Sequence, residues 1–250
     1  MSLWIYDGTF DGFLCLLFEC AAEGAAPEGI LSARQDDIPG LFSPREVCTD
    51  PVRAEGVRQA LKKRLSPRAF DAGYYAFLGA DKGMEMALFS YYSLGWTRGR
   101  KIETLLADER VWRVMEGRRK VLRERHRFLG ILRFSDLGGV LYAPFEPEAD
   151  LLPLVAGHFA RRLGAERWVI HDLGRGKAAL YTPNEWRIAD FSLPDNVPLT
   201  SEEKFFRDLW RRYFDSTAVS TRLNPRLQRQ FLPKKYWKHL PEKDQGEKIP

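Results

Sequence analysis

The stretch 201–239, SEEKFFRDLWRRYFDSTAVSTRLNPRLQRQFLPKKYWKH, sets the tightest limit on what this chain folds into. It holds ten Lys or Arg against four Asp or Glu, a net of +6, while the whole chain of 250 residues is +5. Eight rings are interleaved with these charges: Phe205, Phe206, Trp210, Tyr213, Phe214, Phe231, Tyr236 and Trp237. A simple solvated charge run does not carry so many large rings. Cations that neutralise phosphates, beside rings on which bases stack, are the ingredients of a nucleic-acid-binding surface. The first half also reads as a helix packed on a core. Ser201 serves as a cap, and Glu202 and Glu203 face the helix dipole. Phe205, Phe206, Leu209 and Tyr213 fall on one face at helical spacing. We expect that face inside, with Lys204, Arg207, Arg211 and Arg212 on the wet side. Asn224-Pro225 marks a break. A short helix with Arg226, Arg229 and Gln230 follows, ends at Pro233, and leaves Lys234, Lys235, Tyr236, Trp237 and Lys238 on a turn or a last helical segment. Arg226, Arg229, Lys234, Lys235, Trp237 and Lys238 are the candidate nucleic-acid contacts of this block.

A second basic block spans 98–127, with eleven Lys or Arg against five Asp or Glu, again +6. Ile102, Leu105, Leu106, Val111, Val114, Met115, Val121 and Leu122 support one or two long helices, with Gly117 as a weak point. Arg118, Arg119 and Arg123 are its candidate contacts. The rest of the chain sums to −7. Charge is thus gathered into two blocks, which argues for an anionic partner more strongly than the isoelectric point near 9.1 does.

An apolar content of 44% and an aromatic content of 13% describe a globular chain. Its length suffices for a substantial core. No apolar run is long enough to span a bilayer, so no membrane is expected. The start MSLWIYDGTF has no secretory pattern. Cys15, Cys20 and Cys48 are an odd count and make no disulfide framework. The expected compartment is the cytoplasm.

Read in order, 3–6 is a short strand, and Asp7 or Thr9 caps a helix with Phe10, Phe13, Leu14, Leu17 and Phe18 on a wide apolar face. Strands follow at 30–33 and 45–49, joined by a polar connection with Asp36, Asp37, Pro39 and Gly40. Asp50-Pro51 opens a helix whose inner face draws on Val52, Val57, Ala60, Leu61 and Leu65. Residues 70–78 are ambiguous. Residues 84–96 are apolar nearly all round and predict a buried helix. Strands are expected at 128–134 and 139–143, a helix at 148–163, and strands at 168–171, 177–181 and 186–191, the link 172–176 being hairpin-like. A linker at 194–198 leads into the C-terminal stretch. Strand pairs with short links predict an α+β fold: a mixed or antiparallel sheet covered by helices, with a basic helical C-terminal segment. We expect one domain over 1–240, divisible into a helix-rich region at 1–127 and a region of sheet and C-terminal helices at 128–240, and a disordered tail at 241–250.

Catalytic signatures are sparse. There is no iron–sulfur or zinc spacing among the cysteines, no P-loop and no glycine-rich dinucleotide fingerprint. His171 and Asp172, at the end of an apolar strand beside Gly174-Arg175-Gly176, are the best polar pair. Adjacent strand residues point to opposite faces, so they form a dyad only if the strand ends at His171. Arg175 reads as a phosphate contact or as a member of a plain turn. Asp7 with Asp11 reads as an acid–base pair, or as capping and dipole compensation, which explains both at lower cost.

RLNPRLQ at 222–228 and QFLPKKYWKHLPE near the C-terminus resemble an uncharacterised bacterial family of DNA-metabolism proteins. YDGTFDGFLCLLFE at 6–19, YAPFEPEADLLPLVAGHFARR at 142–162 and WVIHDLGRGKAALY at 168–181 extend the resemblance over nearly the whole chain, to about residue 242. Members of that family accompany a radical-SAM protein of the spore-photoproduct-lyase type, and some are fused to a uracil-DNA-glycosylase-like domain. The resemblance implies a DNA-binding accessory to a radical-SAM repair or modification enzyme. Two other readings stand beside it: an enzyme acting on damaged DNA or a nucleotide, through His171, Asp172 or Asp7, and a protein-interaction module that meets an acidic partner. No metal or other cofactor is expected, so elemental analysis of the purified chain should find no stoichiometric iron or zinc. About one metal per chain would overturn that expectation and favour the enzyme.

Overall fold

The structure, a computed structural model, describes residues 2–33, 44–194, 199–222 and 224–243. The polar connection expected around Asp36, Asp37, Pro39 and Gly40, the linker residues 195–198 and most of the expected tail lie outside them. The chain divides into two compact units, Met1–Arg123 and Glu124–Pro250. The fold is α+β, with a parallel three-stranded sheet in the first unit and a mixed five-stranded sheet in the second.

In the first unit, β1 (Leu3–Tyr6) lies between β2 (Gly29–Ser32) and β3 (Arg45–Glu46), parallel to both. α1 (Phe10–Glu23) carries the chain from β1 to β2. Thr9 is its N-cap: Oγ1 accepts from the Gly12 N–H at 2.9 Å. Asp7 holds that cap, its Oδ1 accepting from the Thr9 N–H at 2.8 Å and from the Thr9 hydroxyl at 2.7 Å. Gly12 makes room for this arrangement, since a Cβ there would stand 2.2 Å from Asp7 Oδ1. Asp7 is thus a support for a cap, and Asp11 pairs with Arg58.

α2 (Pro51–Arg64) is capped by Asp50, and α3 (Pro67–Leu78) by Ser66, each with Pro at its first position. The ambiguous stretch 70–78 is therefore helical. Its rings explain why: Phe70, Tyr74 and Phe77 recur at helical spacing and surround Phe10 at centroid distances of 5.8, 5.0 and 5.1 Å. α4 (Met84–Arg98) packs against α3 through Tyr91 and Tyr92. Their hydroxyls donate to the Ala69 and Phe70 carbonyls, both at 2.9 Å. The expectation for α2 needs one correction: Val52 is 83% exposed, because it points away at the first turn, whereas Leu61 and Leu65 are buried.

α5 (Glu109–Ile131) is one helix; of the strand expected at 128–134, residues 128–131 are its last turn and 132–134 are irregular. The reason is periodic. Val111, Val114, Gly117, Val121, Glu124 and Phe128 fall three or four apart and are all buried. Phe128 continues that stripe into the second unit, edge-on to Phe145 at 5.1 Å.

In the second unit the strand order is β4 (Ser135–Asp136), β5 (Leu141–Phe145), β6 (Trp168–Asp172), β7 (Lys177–Thr182), β8 (Glu185–Asp190). β5 and β6 are parallel and the other pairs antiparallel. The parallel pair needs a crossover, which α6 (Leu152–Arg162) supplies. It starts later than the expected 148: Pro153 lacks an N–H and is accommodated in the first turn, which puts the start at Leu152. Among the described residues no helix is long and apolar enough to cross a membrane.

Thr9→Ala should lower the unfolding free energy by about 0.5–2 kcal/mol, with Asp7→Ala acting in the same direction. The double variant should cost less than the two together, since both act on one cap. Urea titration of the three variants checks this. A folded Asp7→Ala protein of unchanged stability would remove the capping role.

Candidate nucleic-acid interface

The C-terminal block begins with α7 (Ser201–Thr217), capped by Thr200, one residue before the expected Ser201. Its apolar face is not in a core, and this overturns the expectation. Phe205 is 63%, Phe206 54%, Leu209 51% and Tyr213 58% exposed. The inward face is polar instead. Glu203 is buried, accepting from the Asp136 N–H at 3.1 Å and from Arg207 Nε at 3.0 Å. Arg207 also donates to the Ser135 hydroxyl at 2.7 Å, and Arg211 to the Pro241 carbonyl at 2.8 Å. Hydrogen bonds dictate which side of α7 turns in, and they leave the rings facing out.

α8 (Pro225–Phe231) is exposed along its whole length. Leu227 (47%) and Phe231 (70%) lie one turn apart on the same short helix as the exposed cations Arg226 and Arg229. Arg226, Arg229 and the exposed Lys234 make no ion pair among the described residues.

The following 3₁₀ segment, Lys234–His239, is a strap laid on β5. Tyr236 and Leu240 are its anchors, 4% and 2% exposed. The Tyr236 ring stands edge-on to Phe128 at 5.1 Å, and its hydroxyl donates to Glu124 Oε1 at 3.3 Å. Lys235 pairs with Glu148, while Lys238 Nζ lies 2.6 Å and His239 Nε2 3.1 Å from Glu146 Oε1. Bonding to Lys238 holds the Glu146 carboxyl below its ordinary range, against burial. Trp237 donates its indole N–H to the Leu232 carbonyl at 2.9 Å and lies under the Lys243 ammonium. So Lys235 and Lys238 already have carboxylates, and Trp237 closes its own loop. Beyond the strap, Trp210 Nε1 donates to Glu242 Oε2 at 3.0 Å, and Arg133 pairs with Glu242.

The other candidate cations lie on α5 in the first unit. Arg118 is half-buried, Arg119 pairs with Glu116 at 2.5 Å, and Arg123 is exposed. The sequence reading missed Glu124. It is 7% exposed and accepts from the N–H groups of Glu148 (2.9 Å) and Ala149 (3.0 Å) as well as from Tyr236. The signal was an acidic residue on an otherwise apolar helical stripe, which implies a dedicated set of donors.

His171 and Asp172 are adjacent on β6 and engaged separately. Asp172 is fully buried. Arg175 closes the turn after it, donating from its backbone at 3.2 Å and from Nη1 at 2.9 Å, and also reaches the Pro147 carbonyl at 3.1 Å and the Glu148 carbonyl at 2.5 Å. Burial raises the Asp172 carboxyl, against the pull of Arg175. Arg175 is thus a structural tie. His171, 5% exposed, meets the Tyr142 hydroxyl at 2.7 Å through Nδ1. Burial pushes the Tyr142 phenol up to about 12, so the phenol keeps its proton. These residues hold the sheet together, and neither offers an open base or nucleophile. Among the described residues no group of three His, Cys, Asp or Glu is arranged to hold a metal ion.

A family model described as a domain of unknown function, DUF4130, matches residues 82–242, from the turn before α4 to the residues just past the strap. No curated protein matches the chain.

The environment of His171 has a pH consequence. Burial holds its pKa below the ordinary value, opposed by a hydrogen bond to the Phe191 backbone. The folded state therefore resists protonation. The stability this contributes is present above the unfolded pKa and is lost as pH falls through the folded one. Thermal melts between about pH 7.5 and pH 5 should show a falling midpoint in the wild type. The fall should be shallower in His171→Gln; His158, shifted the same way by burial and by Arg125, Arg161 and Arg162, supplies the remainder. Identical slopes would show that His171 is not the titrating group.

Proposed function

The chain belongs to the DUF4130 family, and from that premise we propose that it is a nucleic-acid-binding protein whose contact surface is the α7–α8 segment. One observation carries this reading: α7 turns its hydrogen-bonding side inward and leaves Phe205, Phe206, Leu209 and Tyr213 exposed. Burying one such side chain contributes about 1.5–3 kcal/mol, so a face that forgoes several marks an interaction site. The chemistry around it suits a strand of nucleic acid. Lys204 and Arg212 flank the rings on α7, and Arg226, Arg229 and Lys234 are unpaired among the described residues. Rings offer stacking platforms to unpaired bases, and cations offer sites to phosphates.

DNA is the partner favoured by the sequence resemblance, which also suggests a place beside a radical-SAM repair or modification enzyme. In this reading the protein holds DNA and the neighbouring enzyme does the chemistry. His171 and Asp172, each committed to the fold, give the enzyme reading no support. An acidic protein partner would also meet the cations and cover the rings; the sequence resemblance, which points to DNA, decides in favour of nucleic acid.

Fluorescence anisotropy with single- and double-stranded oligonucleotides tests the reading, and the single strand should bind tighter. Stacking is worth about 1–3 kcal/mol per base. Phe205→Ala/Phe206→Ala should therefore weaken single-strand binding by roughly tenfold or more at unchanged melting temperature. Arg226→Ala/Arg229→Ala/Lys234→Ala should flatten the salt slope by about 0.7 per lost contact. Absence of binding at low salt, or variants indistinguishable from wild type, would overturn the assignment; capture of an acidic protein through the same rings and cations would replace it.

A further inference from the structure

The first unit contains a surface that the nucleic-acid reading does not use. α2 bears an apolar stripe at helical spacing, and only some of it is packed. Gly56, Val57 and Ala60 line a trough that α2 shares with α1 and α4. Phe18 of α1 and Phe89 and Trp96 of α4 form its walls, with Phe18 47% and Trp96 54% exposed. The trough holds about 900 Å³. Ligand sites of drug-sized molecules occupy about 300–1,000 Å³, so the trough is ample for one. A Cβ built on Gly56 meets nothing within 4 Å. Gly56 is exposed, so a side chain placed there has room beside the trough it lines.

The lining decides what kind of molecule fits. Its ionisable groups are Arg53, Cys20 and Tyr92. Arg53 Nη1 is paired with Glu19 at 3.1 Å, and its guanidinium lies over the Phe18 ring at 5.3 Å. The Cys20 thiol is 2% exposed and pushed up to about 11 by burial, with Glu23 and Glu19 adding to the effect. The Tyr92 hydroxyl is spent on the Phe70 carbonyl at 2.9 Å. A charged guest would give up its water here without meeting a free counter-charge, which is costly. A hydrocarbon guest loses nothing by entering and covers the exposed rings. We propose that this trough is a binding site for an uncharged, largely hydrocarbon small molecule.

The test uses the full chain and the uncharged dye Nile red, whose emission rises in apolar surroundings. Saturable uptake at about one dye per chain is expected. Gly56→Phe places a ring in the trough and replaces a residue that weakens helix interiors. It should weaken uptake at least about tenfold with a melting temperature equal to or above wild type. Ala60→Phe, one turn on, gives the same reading should Gly56→Phe melt early. Arg53→Gln should leave the affinity within about threefold, since no charge is recognised. Unsaturable uptake, or wild-type affinity in both filled variants, would overturn the site. Tighter binding of the anionic dye anilinonaphthalene sulfonate, lost in Arg53→Gln, would overturn the neutral class. A concentration-dependent dimer abolished by Gly56→Phe would overturn it in favour of a second copy.

Discussion

The second unit depends on a carboxylate taken out of water. Glu124 lies on the apolar stripe of α5, and a buried charge is tolerated only when its lone pairs are met. Here they are met by the Glu148 and Ala149 N–H groups and by the Tyr236 hydroxyl. The same loop is gripped from the other side, where Arg175 donates to the carbonyls of Pro147 and Glu148. An irregular segment between β5 and α6 thus has its backbone satisfied by two side chains from distant stretches of the chain. Its own carboxylates, Glu146 and Glu148, then pair with Lys238, His239 and Lys235 of the strap. Exposed pairs of this kind contribute about 0–1 kcal/mol. Buried Tyr236 and Leu240 therefore hold the strap, and the pairs tune its charge.

That division of labour explains why the basic C-terminal block is not one uniform surface. Its last segment is a strap whose rings and two of whose three lysines are committed to the fold. Its first segment is a helix turned with polar groups inward, anchored by Glu203, Arg207 and Arg211. The free energy that α7 does not gain from burying its rings remains available to a partner. In the first unit the rings of Phe10, Phe13, Phe70 and Phe77 are packed, while Phe18, Trp96 and Trp112 are exposed there as well.

Much of the fold was legible in the residues. β1, the cap at Asp7-Thr9, the start of α2 at Asp50-Pro51, the mixed sheet and the hairpin at 172–176 follow from periodicity, caps and turn residues, all of which are local. The helical nature of 70–78 and the continuation of α5 through Phe128 were less legible. Both segments are rich in rings and β-compatible residues, and only their shared neighbours, Phe10 in one case and Phe145 with Tyr236 in the other, select the helical period.

By itself the sequence determined that this chain is globular, α+β and charge-segregated, and where its cations and rings concentrate. It could not determine which of those cations and rings are free. An amphipathic helix has two faces, and its sequence states only that they differ. Which one turns inward depends on the partners across the gap, and for α7 those are Asp136, Ser135 and Pro241, remote in sequence. The same holds for Lys235 and Lys238, matched to acids about ninety residues away. The tertiary structure alone decided these points, because burial and ion pairing are properties of what the fold brings together.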